Sequence, residues 1–407
     1  MSTTPQPSAD ELRALEAGRA HALHSPAQVP MQAPMPLPMP APAQSPAQSP
    51  AQAPLRIRQI GERLALLGAK PVHVQRLFRH WAQALPQDQG RRRLEHWLPQ
   101  AVQSALPALV AELASLATVA SAHPDGEGGE RLLVKLADGQ TVESVLLPRQ
   151  GLCVSTQLGC AVGCQFCMTG QGGLLRQLGS AEIVAQVALA RQRRAVTKVV
   201  FMGMGEPAHN LDNVLEAVAL LGTAGGIGHK NLVFSTVGDT RAFERLMALG
   251  PGQVRPALAL SLHTTKPELR RRLLPRAPDL TPTELVTHAE AYARATGYPV
   301  QYQWTLMQGV NDGDDEVDAV AELLSGTYGV LNLIPYNDVP GLAFRRPSWE
   351  RAAAMARALH RRGVLTKLRH SAAQGVDGGC GQLRARLAET GEQVVTLRRR
   401  PVAAPAP

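Results

Sequence analysis

Three cysteines stand together in Cys160-Ala-Val-Gly-Cys164-Gln-Phe-Cys167, spaced by three and then two residues, directly after an apolar run. Three thiolates can hold three irons of a [4Fe-4S] cluster. A fourth cysteine at ferredoxin-like spacing would close the cluster for plain electron transfer, whereas without one the fourth iron stays open to a small molecule. The competing occupant of such a motif is structural zinc, but those sites usually pair two well-separated CxxC units. The chain has no second unit of that kind.

The remaining cysteines are two: Cys153, seven residues before the motif, and Cys380 in the glycine-rich stretch Gln374-Gly-Val-Asp-Gly-Gly-Cys380-Gly. Such a loop can carry a thiol into a site, although a lone cysteine is more often an inert buried residue. Five cysteines in 407 residues, with no apolar signal segment opening the chain, point to a reducing cytoplasm. No run of about 18 apolar residues is present, so a soluble protein is expected.

Several further stretches then carry a resemblance. Cys153-Val-Ser-Thr-Gln-Leu-Gly-Cys160, Met-Gly-Met-Gly-Glu-Pro at 202–207, Ser261-Leu-His263, Asn332-Leu-Ile-Pro-Tyr-Asn337 and Cys380-Gly-Gln-Leu occur in this order. Together they resemble the RlmN/Cfr family of radical-SAM RNA methyltransferases over residues 57 to 385. The resemblance implies a [4Fe-4S] cluster on Cys160, Cys164 and Cys167, with S-adenosylmethionine (SAM) chelated to the open iron. It implies SAM contacts from Gly205, Glu206, Ser235, Ser261, Leu262, His263 and Asn337.

It also implies that Cys380 is first methylated and that a hydrogen is then removed from its methyl group. The carbon adds to an electrophilic carbon of adenine, Glu143 accepts the proton, and Cys153 releases the product through a transient disulfide with Cys380. The implied activity is methylation of an adenosine, at carbon 2, in ribosomal or transfer RNA. An electron donor such as flavodoxin is implied as a second partner, and a monomer is expected. Carbon 8 or another RNA is the alternative within the enzyme class, and a non-catalytic RNA- or ribosome-binding paralogue is the alternative outside it. Departures from the family pattern fall at Ala372-Ala-Gln-Gly-Val376, Ala208-His209 and Val237, and the span from Glu143 to Cys153 is short.

These groups need a frame. Short β-rich runs at 151–155, 198–202, 231–236, 257–262, 300–306 and 329–334 alternate with helical segments, which suits an α/β fold with a partial, open parallel β/α barrel. Strand C-terminal ends carry the site in such barrels. Gly205 and Glu206 would end the second strand, where glycine lets a backbone approach a ligand and a carboxylate can meet an amino group; a plain Gly-Pro turn is the other reading. Thr281-Pro282-Thr283-Glu284 is a capping box, and Ser180 is expected to cap the helix after the cysteine loop. Phe166 either shields the cluster or packs against the sheet.

Upstream, helical spacing in Ile60, Leu64 and Leu67, and in Val74, Leu77, Phe78 and Trp81, predicts a small helical domain over 56–121 with a turn at Gly68 and Pro71, and the family resemblance implies that this domain binds RNA. A linker and hairpin over 122–149 turn at Asp138-Gly139, where Glu143 reads alternatively as an exposed strand carboxylate. The core spans 150–385, and a basic tail follows at 386–407. Residues 1–55, rich in Pro, Ala, Gln and Ser, read as a disordered arm.

Forty-two Lys and Arg against 33 Asp and Glu give a net charge of +9, which favours a polyanionic partner. The basic groups recur at 91–93, 270–272, 361–362 and 398–400. Each alone reads equally well as a solvated helix face.

Overall fold

The computed structural model describes residues 54–87, 96–339 and 341–369, together with Arg384. Two helices open it, α1 (Ile57–Leu66) and α2 (Pro71–Ala82), followed by α3 (Gln100–Ser115). Ile60 and Leu64 bury one stripe of α1, and Leu77, Phe78 and Trp81 that of α2. Gly68 turns between them at φ 83°, and Pro71 starts α2 at the position where its missing N–H costs nothing.

Strands β1 (Ala117–Pro124), β2 (Glu130–Leu136) and β3 (Thr141–Leu147) follow as an antiparallel meander. Gly139 makes the β2–β3 turn in the left-handed region, in the hairpin position expected from Asp138-Gly139. β1 begins inside the span read as helical, because its Ala-rich start continues the helical composition of α3.

The sheet then becomes parallel through β4 (Gly151–Cys153), β7 (Lys198–Phe201), β8 (Leu232–Thr236), β9 (Ala257–Ser261), β10 (Val300–Leu306), β11 (Gly329–Pro335) and β12 (Thr366–Leu368). Among the described residues the ladder runs β1-β2-β3-β4-β7-β8-β9-β10-β11-β12 with two free ends. It is a partial, open barrel, as expected, with β12 as a further parallel strand. A separate two-stranded ribbon, β5 (Gln157–Gly159) with β6 (Leu174–Gln177), brackets the cysteine loop.

Helices α5 (Ser180–Arg191), α6 (Leu211–Gly222), α7 (Thr240–Met247), α8 (Pro267–Leu273), α9 (Pro282–Thr296), α10 (Asp314–Leu323) and α11 (Trp349–Arg361) fill the crossovers, after the short α4 (Met168–Gln171). Thr281 caps α9, its Oγ1 accepting from the Glu284 N–H at 3.2 Å while Glu284 returns to the Thr281 N–H at 2.8 Å. Ser180 does not cap its own helix, which Gly179 precedes. Its Oγ accepts from the Ile57 N–H at 2.9 Å and donates to Glu216 at 2.8 Å, so it ties α1 to the core.

Side chains alternate across the strands, and the two faces differ in kind. Leu152, Val199, Phe201, Phe234, Leu258, Leu260, Trp304, Leu331 and Leu333 enter the large core shared with the helices. The opposite, inward face carries Cys153, Ser235, Ser261, Gln303 and Asn332 at intervening positions. The outer face supplies the apolar burial, which leaves the lumen available for polar chemistry.

Candidate active site

The cysteine loop is pinned at both ends by backbone geometry. Gly159 closes β5 with φ 79°, and a Cβ there would meet the Gly173 carbonyl oxygen at 2.0 Å, so only glycine fits. The Cys160 N–H donates to that same carbonyl at 2.9 Å, and the Cys167 N–H donates to the Cys164 carbonyl at 3.1 Å. Cys160 is buried, while Cys164 and Cys167 are half-buried. Val162, Val237, Leu273, Leu274, Met307 and Tyr336 form an apolar shell with Cys160.

Burial pushes the Cys160 thiol up to about 12 and raises Cys164 as well, with the neighbouring cysteines adding to both shifts. Cys160 and Cys164, in a low-dielectric shell, do not ionise on their own account. Bound metal supplies the positive charge that makes them thiolates. The donor set, its spacing and its dry surroundings fit an iron–sulfur cluster.

The Gly-Glu-Pro turn packs against the strand leading into that loop. A Cβ on Gly205, at φ 109°, would meet Gln157 Cβ at 2.6 Å and Thr156 Oγ1 at 2.8 Å. The Glu206 N–H donates to Gln157 Oε1 at 2.6 Å. Glu206 is 4% exposed, and its carboxylate accepts from the Ala208 and Val237 N–H groups, each at 3.0 Å. Burial raises its pKa to about 7, against the lowering effect of its Thr236, Ala208 and Val237 hydrogen bonds.

Across the rim, His263 holds an unusual backbone with φ 63°, strain that persists only where the surroundings fix it. Asn311 Nδ2 donates to the His263 carbonyl at 2.7 Å, and the Thr305 N–H donates to His263 Nδ1 at 3.0 Å. Nδ1 is therefore the acceptor and the neutral ring carries its proton on Nε2. Burial, and then the charge of Arg270, pull its pKa down to about 3. Phe166 packs edge-on against this ring with centroids 5.0 Å apart, and against Phe344 at 6.5 Å, so it joins the cysteine loop to the rim. Ser235 faces inward from β8, Ser261 from the end of β9, and Asn337 is half-buried just after β11. Leu262 lies between Ser261 and His263. Its side chain lies fully in the outer core, its N–H donates to the Gln303 carbonyl at 3.0 Å and its carbonyl accepts from Arg270 at 2.8 Å.

Deeper in the lumen, β3 and β4 pair with Val145 opposite Cys153, which puts Glu143, two residues along, on the same face as the thiol. Glu143 is 1% exposed and ion-paired with Arg131 of β2, itself 2% exposed, so it is not a solvated strand carboxylate. Cys380 lies outside the described residues. Arg384, four positions later, donates its main-chain N–H to Glu143 Oε1 at 2.9 Å.

Sequence reading missed Arg131 and Arg270. A register argument across the hairpin would have placed Arg131 beside Glu143, whereas Arg270 was hidden in a run of three arginines. Only Arg270 of that run is buried, at 4% exposure; Arg271 pairs with Glu268 and Asp279 at the surface. The runs at 91–93 and 398–400 and residues 372–376 lie outside the described residues.

The model of the Radical SAM superfamily matches residues 154–324. A protein of Methylibium petroleiphilum described as a probable RNA methyltransferase is 74% identical over 332 residues, covering 82% of this chain and 93% of its own length. One of Pseudomonas aeruginosa with the same description is 62% identical over 348 residues, covering 84% of this chain and 99% of its own. The crystal structure of a radical SAM methyltransferase from Sphaerobacter thermophilus superposes with a TM-score of 0.69 at 34% identity, over 81% of this chain and 98% of that one. The chain belongs to the radical SAM superfamily and, within it, to the family of these relatives. Its cofactors are a [4Fe-4S] cluster and SAM.

Proposed function

We propose that this enzyme methylates an adenosine of ribosomal or transfer RNA, at carbon 2, through a methyl-cysteine intermediate, as RlmN/Cfr proteins do. The observation that carries this reading is the placement of Glu143 and Cys153 on one lumen face, with the chain just beyond Cys380 bonded to Glu143. The relatives described as probable RNA methyltransferases and the net charge of +9 support an RNA substrate.

Cys160, Cys164 and Cys167 would hold the cluster, and Glu206 would accept from the amino group of SAM, with Ser235, Ser261, His263 and Asn337 on the same rim. When bound, cluster and SAM supply a 5′-deoxyadenosyl radical. Cys380, methylated by a first SAM, presents a methyl carbon that would lose a hydrogen atom to this radical and bond to the adenine ring, the one excess electron of the adduct being given up to the cluster. Glu143 takes the proton from that ring carbon, held for the task by Arg131 and the Arg384 N–H. Cys153 then attacks the Cys380 sulfur and breaks its bond to the new methylene carbon, which keeps the bonding pair, takes a proton and leaves as the methyl group of the product, while the two cysteines remain as a disulfide. The apolar shell around Cys160 and Phe166 keeps water from the rim.

Cys153→Ala removes the resolving thiol while leaving the acceptor in place. The variant should therefore purify with RNA covalently attached at Cys380, and nuclease digestion with mass spectrometry should find one modified adenosine on that residue. Fragmentation of the nucleoside distinguishes carbon 2 from carbon 8. A Cys153→Ala protein that is free of RNA and turns over at the native rate removes the scheme.

A further inference from the structure

Arg270 is 4% exposed, and its guanidinium is satisfied by main-chain carbonyls alone: Ser261 at 2.9 Å, Leu262 at 2.8 Å, and Val237. Carbonyls satisfy the N–H groups but do not neutralise the charge. A buried cation without a counter-ion is unfavourable, and among the described residues no carboxylate stands within ion-pair distance of this one. Glu206 lies across Val237, whose two flanking peptide groups stand between it and the guanidinium. It accepts from the Val237 N–H at 3.0 Å while Arg270 donates to the Val237 carbonyl.

Arg270 also sits close to the cysteine loop: it holds the carbonyl of Leu262, and the next residue, His263, packs on Phe166 with ring centroids 5.0 Å apart. Burial lowers its pKa to about 10, so the charge is retained at neutral pH. α8 also supports the cysteine loop itself. The Gln165 N–H donates to the Leu273 carbonyl at 2.9 Å, and Leu273 and Leu274 share the apolar shell of Cys160. The cation and the loop therefore cannot move apart independently.

We propose that Arg270 is a positioning residue whose fixed positive charge, held by α8 against the cysteine loop, stabilises the reduced iron–sulfur cluster and raises its reduction potential. Three thiolates on an oxidised cluster of core charge +2 give a net charge of −1. One electron from a low-potential donor takes it to −2, with no proton moved and no bond broken. Every unit of negative charge added next to a buried cation is favoured by Coulomb attraction in the low-dielectric shell. The inference rests on membership of the radical SAM superfamily and not on the RNA reading, so it can fail or stand separately from the proposed substrate.

The test is an anaerobic redox titration of the full-length, reconstituted protein without SAM or RNA, using dithionite and mediators and reading the reduced cluster by electron paramagnetic resonance. Arg270→Gln should disfavour the reduced state about tenfold, a midpoint about 59 mV more negative for a one-electron couple. Arg270→Lys, which keeps the charge, should stay near the native midpoint, and so should Arg271→Gln at the surface. An Arg270→Gln protein that loads four irons and titrates like the native one overturns the proposal and leaves Arg270 as a strut between β8 and β9. If Arg270→Gln fails to load, Arg270→Lys decides. A native midpoint supports the charge, and a full tenfold displacement with the charge present refutes it.

Discussion

Replacing Glu143 by alanine would test whether the lumen is organised around its ion pair with Arg131. Both partners are almost completely buried, at 1% and 2% exposure, so the substitution takes from an interior guanidinium the carboxylate it is ion-paired with. Breaking a buried pair in this way costs about 3–5 kcal/mol. With an unfolding entropy of about 2.1 cal/mol/K per residue over roughly 300 folded residues, that corresponds to a fall in Tm of about 5–8 °C.

The companion variant joins Arg131→Met to Glu143→Leu, which removes both charges and keeps apolar volume. It should recover all but about 1 kcal/mol, the residue being the Arg384 N–H that has lost its acceptor. Thermal unfolding of the cluster-free protein, followed by circular dichroism at matched scan rates, reads both. A Glu143→Ala protein within 2 °C of the native one, or a double variant as unstable as the single, would refute the reasoning.

Anaerobically prepared protein should be brown with about four irons per chain, and Cys160→Ala, Cys164→Ala or Cys167→Ala should each remove them, as counted by iron and sulfide analysis; stoichiometric zinc would contradict the site. His263 should make the cluster-free protein acid-sensitive. Its folded pKa is depressed to about 3 against 6.5 for the ordinary imidazole, so the unfolded chain takes up the proton first and stability falls as the pH drops from about 6.5 towards 3. His263→Asn tolerates the positive φ, replaces the acceptor for Thr305 and does not titrate, so urea midpoints measured from pH 7 to pH 4 should decline less steeply. A slope identical to the native one would show that other groups dominate.

Most of the parallel sheet was legible because each strand is a short apolar run bounded by turn residues, and the helix caps between them have chemical signatures, as at Thr281. Elements without such contrast escaped. β12 is three residues long with Lys367 at its centre, β1 begins in alanine-rich sequence, and the β5–β6 ribbon depends on glycines whose positive φ only the fold reveals. The cysteine loop was readable because ligand spacing is itself the chemistry. Glu143 was named by the family resemblance alone, since alternation in a hairpin says that two faces exist but not which one turns towards protein. Ser180 illustrates the same limit: a capping residue type was recognised, but its partner was Ile57, 123 positions away. Arg270 carried no contrast at all, since burial separates it from the two arginines that follow.

The hydrogen bond from Arg384 to Glu143 spans 241 positions of the chain. A ribosome adding about 5–20 residues per second needs roughly 12–48 s to cover that interval. During synthesis β3 and its neighbours can fold, and the cysteine loop can emerge, well before the last contact to the lumen carboxylate exists. Assembly order thus makes this contact to the lumen carboxylate later than every strand of the parallel sheet, the last of which, β12, ends at Leu368.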